Sequence, residues 1–79
     1  MPGVGEIDGI TFYVYGDDHN PPHMHVKYAE HKALLVIATG DLYAGSLPVP
    51  QLHAAREWLA TNRERIATEW RRLNPGARP

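Results

Sequence analysis

Apolar and polar side chains alternate with a period of two through the first half of the chain, and the period lengthens to 3.6 after Pro48. In "ITFYVY", Ile10, Phe12 and Val14 share one face of a strand while Thr11, Tyr13 and Tyr15 share the other. Asp8-Gly9 just before it is a hairpin signal, because a type I′ turn wants positive φ at both central residues. A short strand therefore precedes this turn, and a firm one spans residues 10–15. Residues 16–22 read as a stiff loop, because Pro21-Pro22 fixes φ and removes two backbone donors. "HMHVKY" at 23–28 alternates again, with Met24, Val26 and Tyr28 opposite His23, His25 and Lys27. Ala29-Glu30-His31 makes a turn, and "KALLVIA" reads as an inner strand covered on both faces. "LYAGSL", weakened by Gly45, is the last strand.

Beyond Pro48, Pro50 suits a first helical turn, and Leu52, Ala55, Trp58 and Leu59 form an apolar stripe. "TNRE" at 61–64 has the form of a capping box, with Thr61 as N-cap and Glu64 at N3. A second helix with Ile66, Trp70 and Leu73 on one side follows, and Asn74-Pro75-Gly76 ends it. The pattern predicts one α+β domain: an antiparallel β-meander of four to five strands over about 3–47, then a C-terminal helical hairpin with helices at about 49–60 and 62–73.

Composition narrows the chemistry. With 79 residues the core is thin, and with no cysteine neither a disulfide nor a thiolate metal site can support it. The aids that remain are histidine and carboxylate ligation or assembly, and the thin core and exposed tyrosines are compatible with a homodimer or tight heterodimer. No apolar run has the length of a membrane span, and "MPGVGEIDG" lacks the features of a secretion signal, so a cytoplasmic protein is expected. Charge is uneven. Residues 1–45 carry six acids and two bases, for −4, and residues 46–79 carry six arginines and three glutamates, for +3. The plain reading is a solvated helical face with intrahelical pairs; the sharper one is a basic face for RNA or an acidic partner.

The stretch "GDDHNPPHMHV" gathers the candidate chemistry. His23 and His25 lie two apart on a strand, so their imidazoles leave one face, and His19 and Asp18 precede them in the stiff loop. Strand pairing in the register that buries Met24 and Val26 with Phe12 and Val14 puts Tyr13, Tyr15 and Lys27 beside them. Three readings stand. The first is a metal site of His19, His23, His25 and Asp18 for zinc, nickel or copper. The second needs no cofactor: a histidine pair acts as base and acid on a phosphodiester, an aspartate orients one ring, tyrosines stack on bases, and Lys27 with Arg56 and Arg63 holds phosphates or a partner. In the third, Asp18 and His19 bond backbone groups in the proline turn, while His23 and His25 sit half-exposed on a partner-binding sheet. His31 and His53 read as surface residues, and Trp58 and Trp70 as core.

"DHNPPHMHV" resembles the D-H-x-P-P-H-x-H signature of a small bacterial family known as domain of unknown function 4160. "IDGITFYVY", "GSLP" and "REWLATNRERIATEW" resemble its first strands, its entry to the helices and its helical part with spaced tryptophans, so the likeness covers nearly the whole chain. Met24 stands where an aromatic is common in the family, which bears on packing more than on chemistry. The resemblance implies the toxin half of a bacterial type II toxin–antitoxin module, whose partner is a small antitoxin encoded by the neighbouring gene. It places the signature on Asp18, His19, Pro22, His23 and His25. The alternatives are a non-catalytic binding module (the antitoxin or an adaptor) and a histidine-ligated metal-binding domain.

Overall fold

A computed structural model describes residues 3–16 and 21–76. The strands are β1 (Gly3–Ile7), β2 (Ile10–Tyr13), β3 (His23–Tyr28), β4 (His31–Val36) and β5 (Leu42–Gly45), followed by the helix α1 (Val49–Leu73). The five strands form one antiparallel sheet in chain order, so the α+β meander holds.

Turn chemistry sets the register. Ile7 faces Ile10 across the Asp8-Gly9 turn, with φ of 48° and 79° at its two central residues, as a type I′ turn requires. Tyr28 faces His31 across Ala29-Glu30, and here a non-glycine residue, Ala29, takes φ 52°. At the sheet edge Leu34 faces Ala44 while Leu35 faces Leu42, so Tyr43 is an extra residue in a β-bulge. Gly45, at φ 77°, pairs with Ala33, and a Cβ there would stand 2.2 Å from the Lys32 carbonyl oxygen. Only glycine fits that close approach.

One face of the sheet is sealed. Ile10, Phe12, Val14, Met24, Val26, Leu35 and Ile37 are buried together with Ala55, Leu59, Ile66 and Trp70 of α1. Trp58 lies flat on Phe12, with centroids 4.1 Å apart and planes 9° from parallel. A Cβ on Gly5 would come within 2.3 Å of the Trp58 ring, so β1 passes the indole only because residue 5 has no side chain. The indole N–H of the buried Trp70 has no hydrogen-bond partner among the described residues.

The strand expected over residues 10–15 ends at Tyr13, and two further expectations are corrected. The helical hairpin is one helix with a kink at Asn62 (φ −113°, ψ 15°). Thr61 does not cap a second helix: its hydroxyl donates to the Glu57 carbonyl one turn back, and Asn62 Nδ2 donates to the Trp58 carbonyl. The buried positions 55, 59, 66 and 70 step by four, seven and four, which keeps one stripe on one side through the kink. No glycine or proline lies between residues 51 and 74 to reverse the chain. The second correction concerns β4. It is an inner strand, yet Lys32 is exposed and Leu34 and Val36 are only partly buried, so it is covered on the helix side alone. Among the described residues no helix is long and apolar enough to cross a membrane.

Candidate functional site

The face of the sheet away from α1 carries the polar half of the alternation. In register, Tyr13 faces His25, His25 faces Leu34, and Leu34 faces Ala44, giving one row across four strands. The next row runs Thr11, Lys27, Lys32. His23 stands on the other side of His25, opposite Val36. The two imidazoles therefore leave the same face, with ring centroids 5.2 Å apart.

Five rings form a continuous path. Tyr13 stacks beside Tyr15 at 6.2 Å, Tyr15 meets His25 edge-on at 4.3 Å, His25 adjoins His23, and His23 stacks on Tyr43 at 5.7 Å. Tyr43 reaches the path from the bulge in β5, where it and Ala44 together oppose Leu34. Sequence reading missed it: Gly45 hints at an irregular strand, but which residue is extra depends on the pairing with β4 and not on the local pattern of "LYAG".

The two histidines occupy different environments. His23 is only 1% exposed. Its Nδ1 lies 2.8 Å from the Pro21 carbonyl oxygen, and since a carbonyl can only accept, Nδ1 carries the hydrogen. His25 is partly buried and lines a groove of about 460 Å³ together with Tyr13, Tyr15, Lys27, Lys32 and Leu34. The groove floor is the sheet itself.

The entry to this region is tied to the far end of the helix. Asn74, 7% exposed, donates from Nδ2 to the carbonyls of Tyr15 (2.8 Å) and Trp70 (2.9 Å). It satisfies a carbonyl left over at the helix end and fixes the backbone on which the Tyr15 ring is carried. Its role was also missed, since a contact across 59 residues leaves no trace in local pattern.

Other candidates lie elsewhere. Arg56 donates from Nε to the Gly40 carbonyl at 2.9 Å and Arg63 to the Ile37 carbonyl at 2.7 Å. Both project from α1 and hold the β4–β5 connection, so the structure does not bring them to the histidines. Asp18 and His19 lie outside the described residues. Among the described residues no group of three or more His, Cys, Asp or Glu side chains is arranged to hold a metal ion. The carboxyl clearly displaced among the described residues is that of Glu69, held below its ordinary range by a hydrogen bond from Arg72. That pair lies in reach of solvent on α1 and belongs to no site.

A comparison with family models matches residues 9–71 to the family described as Domain of unknown function (DUF4160). No curated protein and no solved structure matches the chain.

Proposed function

The chain belongs to the DUF4160 family, and from that premise we propose that it is the toxin half of a bacterial toxin–antitoxin module that acts on RNA at the open face of its sheet. The observation that carries this reading is the groove, in which one accessible imidazole, two tyrosine rings and two lysines share a single surface. Tyrosine and histidine rings offer stacking platforms for unpaired bases, and lysines offer charge to the backbone. In the proposed step the RNA 2′-oxygen attacks the adjacent phosphorus while His25 accepts its proton. The bond from phosphorus to the 5′-oxygen breaks, that oxygen takes a proton from water, and the hydroxide this leaves takes the proton held by His25, which restores the base. The products are a 2′,3′-cyclic phosphate and a 5′-hydroxyl.

His25 is the catalytic residue in this reading and His23 a positioning residue. A ring with 1% exposure, seated against Tyr43 and bonded to Pro21, orients its neighbour and does not touch substrate. The test is inducible expression with and without the adjacent reading frame. Wild type should arrest growth, the neighbour should relieve the arrest, and His25→Ala should abolish it while the purified variant melts within a few degrees of wild type. Full growth arrest by a folded His25→Ala protein would remove the groove from the account.

A second reading rests on β5. Its four residues are all exposed and it forms an open edge of the sheet. A partner strand adding there would make this chain a binding module, either the antitoxin or an adaptor. In that case expression alone is harmless and the chain rescues cells from its neighbour.

A further inference from the structure

Lys27 and Lys32 face each other directly across β3 and β4, on the groove side, one row beyond His25. Like charges placed opposite in an antiparallel pair repel, so this is an unfavourable arrangement for a sheet with no ligand. Among the described residues neither lysine makes an ion pair or a hydrogen bond. Thr11 is next on their row, and Glu6 follows it, two strands and so about 10 Å from Lys27. The acid is too far to neutralise the pair and marks the limit of the positive end.

We infer that Lys27 and Lys32 form a phosphate clamp, and that the groove takes single-stranded RNA with one backbone phosphate held between them and the neighbouring phosphate at His25. This rests on the reading of the groove as an RNA site. His25 and Lys27 are two residues apart on one strand, so about 7 Å separates the rows, which is roughly the reach from one backbone phosphate to the next. Two ammonium groups on one anion convert the repulsion into attraction. The neighbouring rings select among anions, favouring a backbone that also presents unstacked bases. A net charge of −1 for the whole chain makes this local pair, and not the overall field, the source of anion affinity.

The test is fluorescence anisotropy of a labelled short single-stranded RNA, titrated with wild type, Lys27→Gln/Lys32→Gln, Lys32→Gln alone and Lys27→Arg/Lys32→Arg. A polyglutamate peptide serves as a second probe. The double glutamine variant should bind RNA about tenfold more weakly, and its plot of log affinity against log salt should be shallower by about 0.7, because one phosphate is no longer neutralised. Lys32→Gln should fall between, and the double arginine variant should bind like wild type. Thermal melts should show no loss of stability in any of them. Equal RNA binding by wild type and the double glutamine variant would overturn the clamp while leaving the RNA reading intact. If wild type ignores RNA but binds polyglutamate through the same lysines, the groove receives an acidic peptide, and both the clamp and the RNA reading fail. Absence of binding to either probe overturns both as well.

Discussion

The two faces of the one sheet differ in what they demand of the same strands. On the helix side, residues 10, 12, 24, 26 and 35 are sealed against α1, and each fills space that nothing else would fill. On the open side, residues 11, 13, 25 and 27 of the same strands meet a groove and solvent. A period of two thus separates the packed face from the face proposed to meet RNA by a single peptide step. Substitutions on one face should therefore change stability and substitutions on the other should change function, with little crossover. His23 is the exception that defines the boundary: it stands on the open face yet is as buried as the core.

The comparison is broken most severely on the sealed face. Leu59→Ala removes a fully buried side chain from a small core and should cost about 2–5 kcal/mol, read by urea or thermal unfolding. A loss below about 1 kcal/mol would mean that α1 does not seal the sheet as described. Next comes the residue that joins the two faces. Asn74→Ala gives up two hydrogen bonds and leaves carbonyls at Tyr15 and Trp70 without them, for a cost of about 1–3 kcal/mol. It should also shift the Tyr15 ring resonances in an NMR spectrum, because it releases the backbone under that ring. Ala29→Gly has the opposite sign. It relieves a positive φ in the β3–β4 turn, far from the groove rings, and should stabilise by about 0.5–1 kcal/mol with no effect on function. The smallest effect belongs to Glu69→Gln. The carboxyl has a lowered pKa, so its pairing contributes only above the unfolded value and fades as pH falls through the folded one. Screening by the surrounding water makes that contribution too small to register in a melting curve taken between about pH 3 and 7.

Local chemistry made much of this fold legible. The Asp8-Gly9 turn, the alternation in 10–15 and 23–28, and Pro50 in the first helical turn each act within a few residues, so sequence displays them directly. The register that pairs Phe12 with Val26 follows, because the opposite one would bury lysine and histidine. The helical hairpin was misleading because "TNRE" satisfies two local rules at once. Thr61 can cap a new helix or bond back to the turn before it, and the continuous apolar stripe decides for the second. Tyr43 and Asn74 were invisible for a different reason. One depends on a bulge and the other on a contact between chain ends, and neither is encoded by spacing. For the candidate site, sequence placed His23, His25, Tyr13, Tyr15 and Lys27 on one face, and the structure puts them there. It could not tell the seated imidazole from the accessible one, since that depends on what covers each ring.

The most direct measurement takes purified protein and an end-labelled single-stranded RNA, and compares wild type with His25→Ala. Wild type should release fragments ending in 2′,3′-cyclic phosphate, and His25→Ala, folded to the same melting curve, should do so at least about a hundredfold more slowly, as loss of a general base requires. Cleavage by His25→Ala at the wild-type rate, or intact RNA after prolonged incubation with wild type, would contradict the division of this sheet into a folding face and a chemical one.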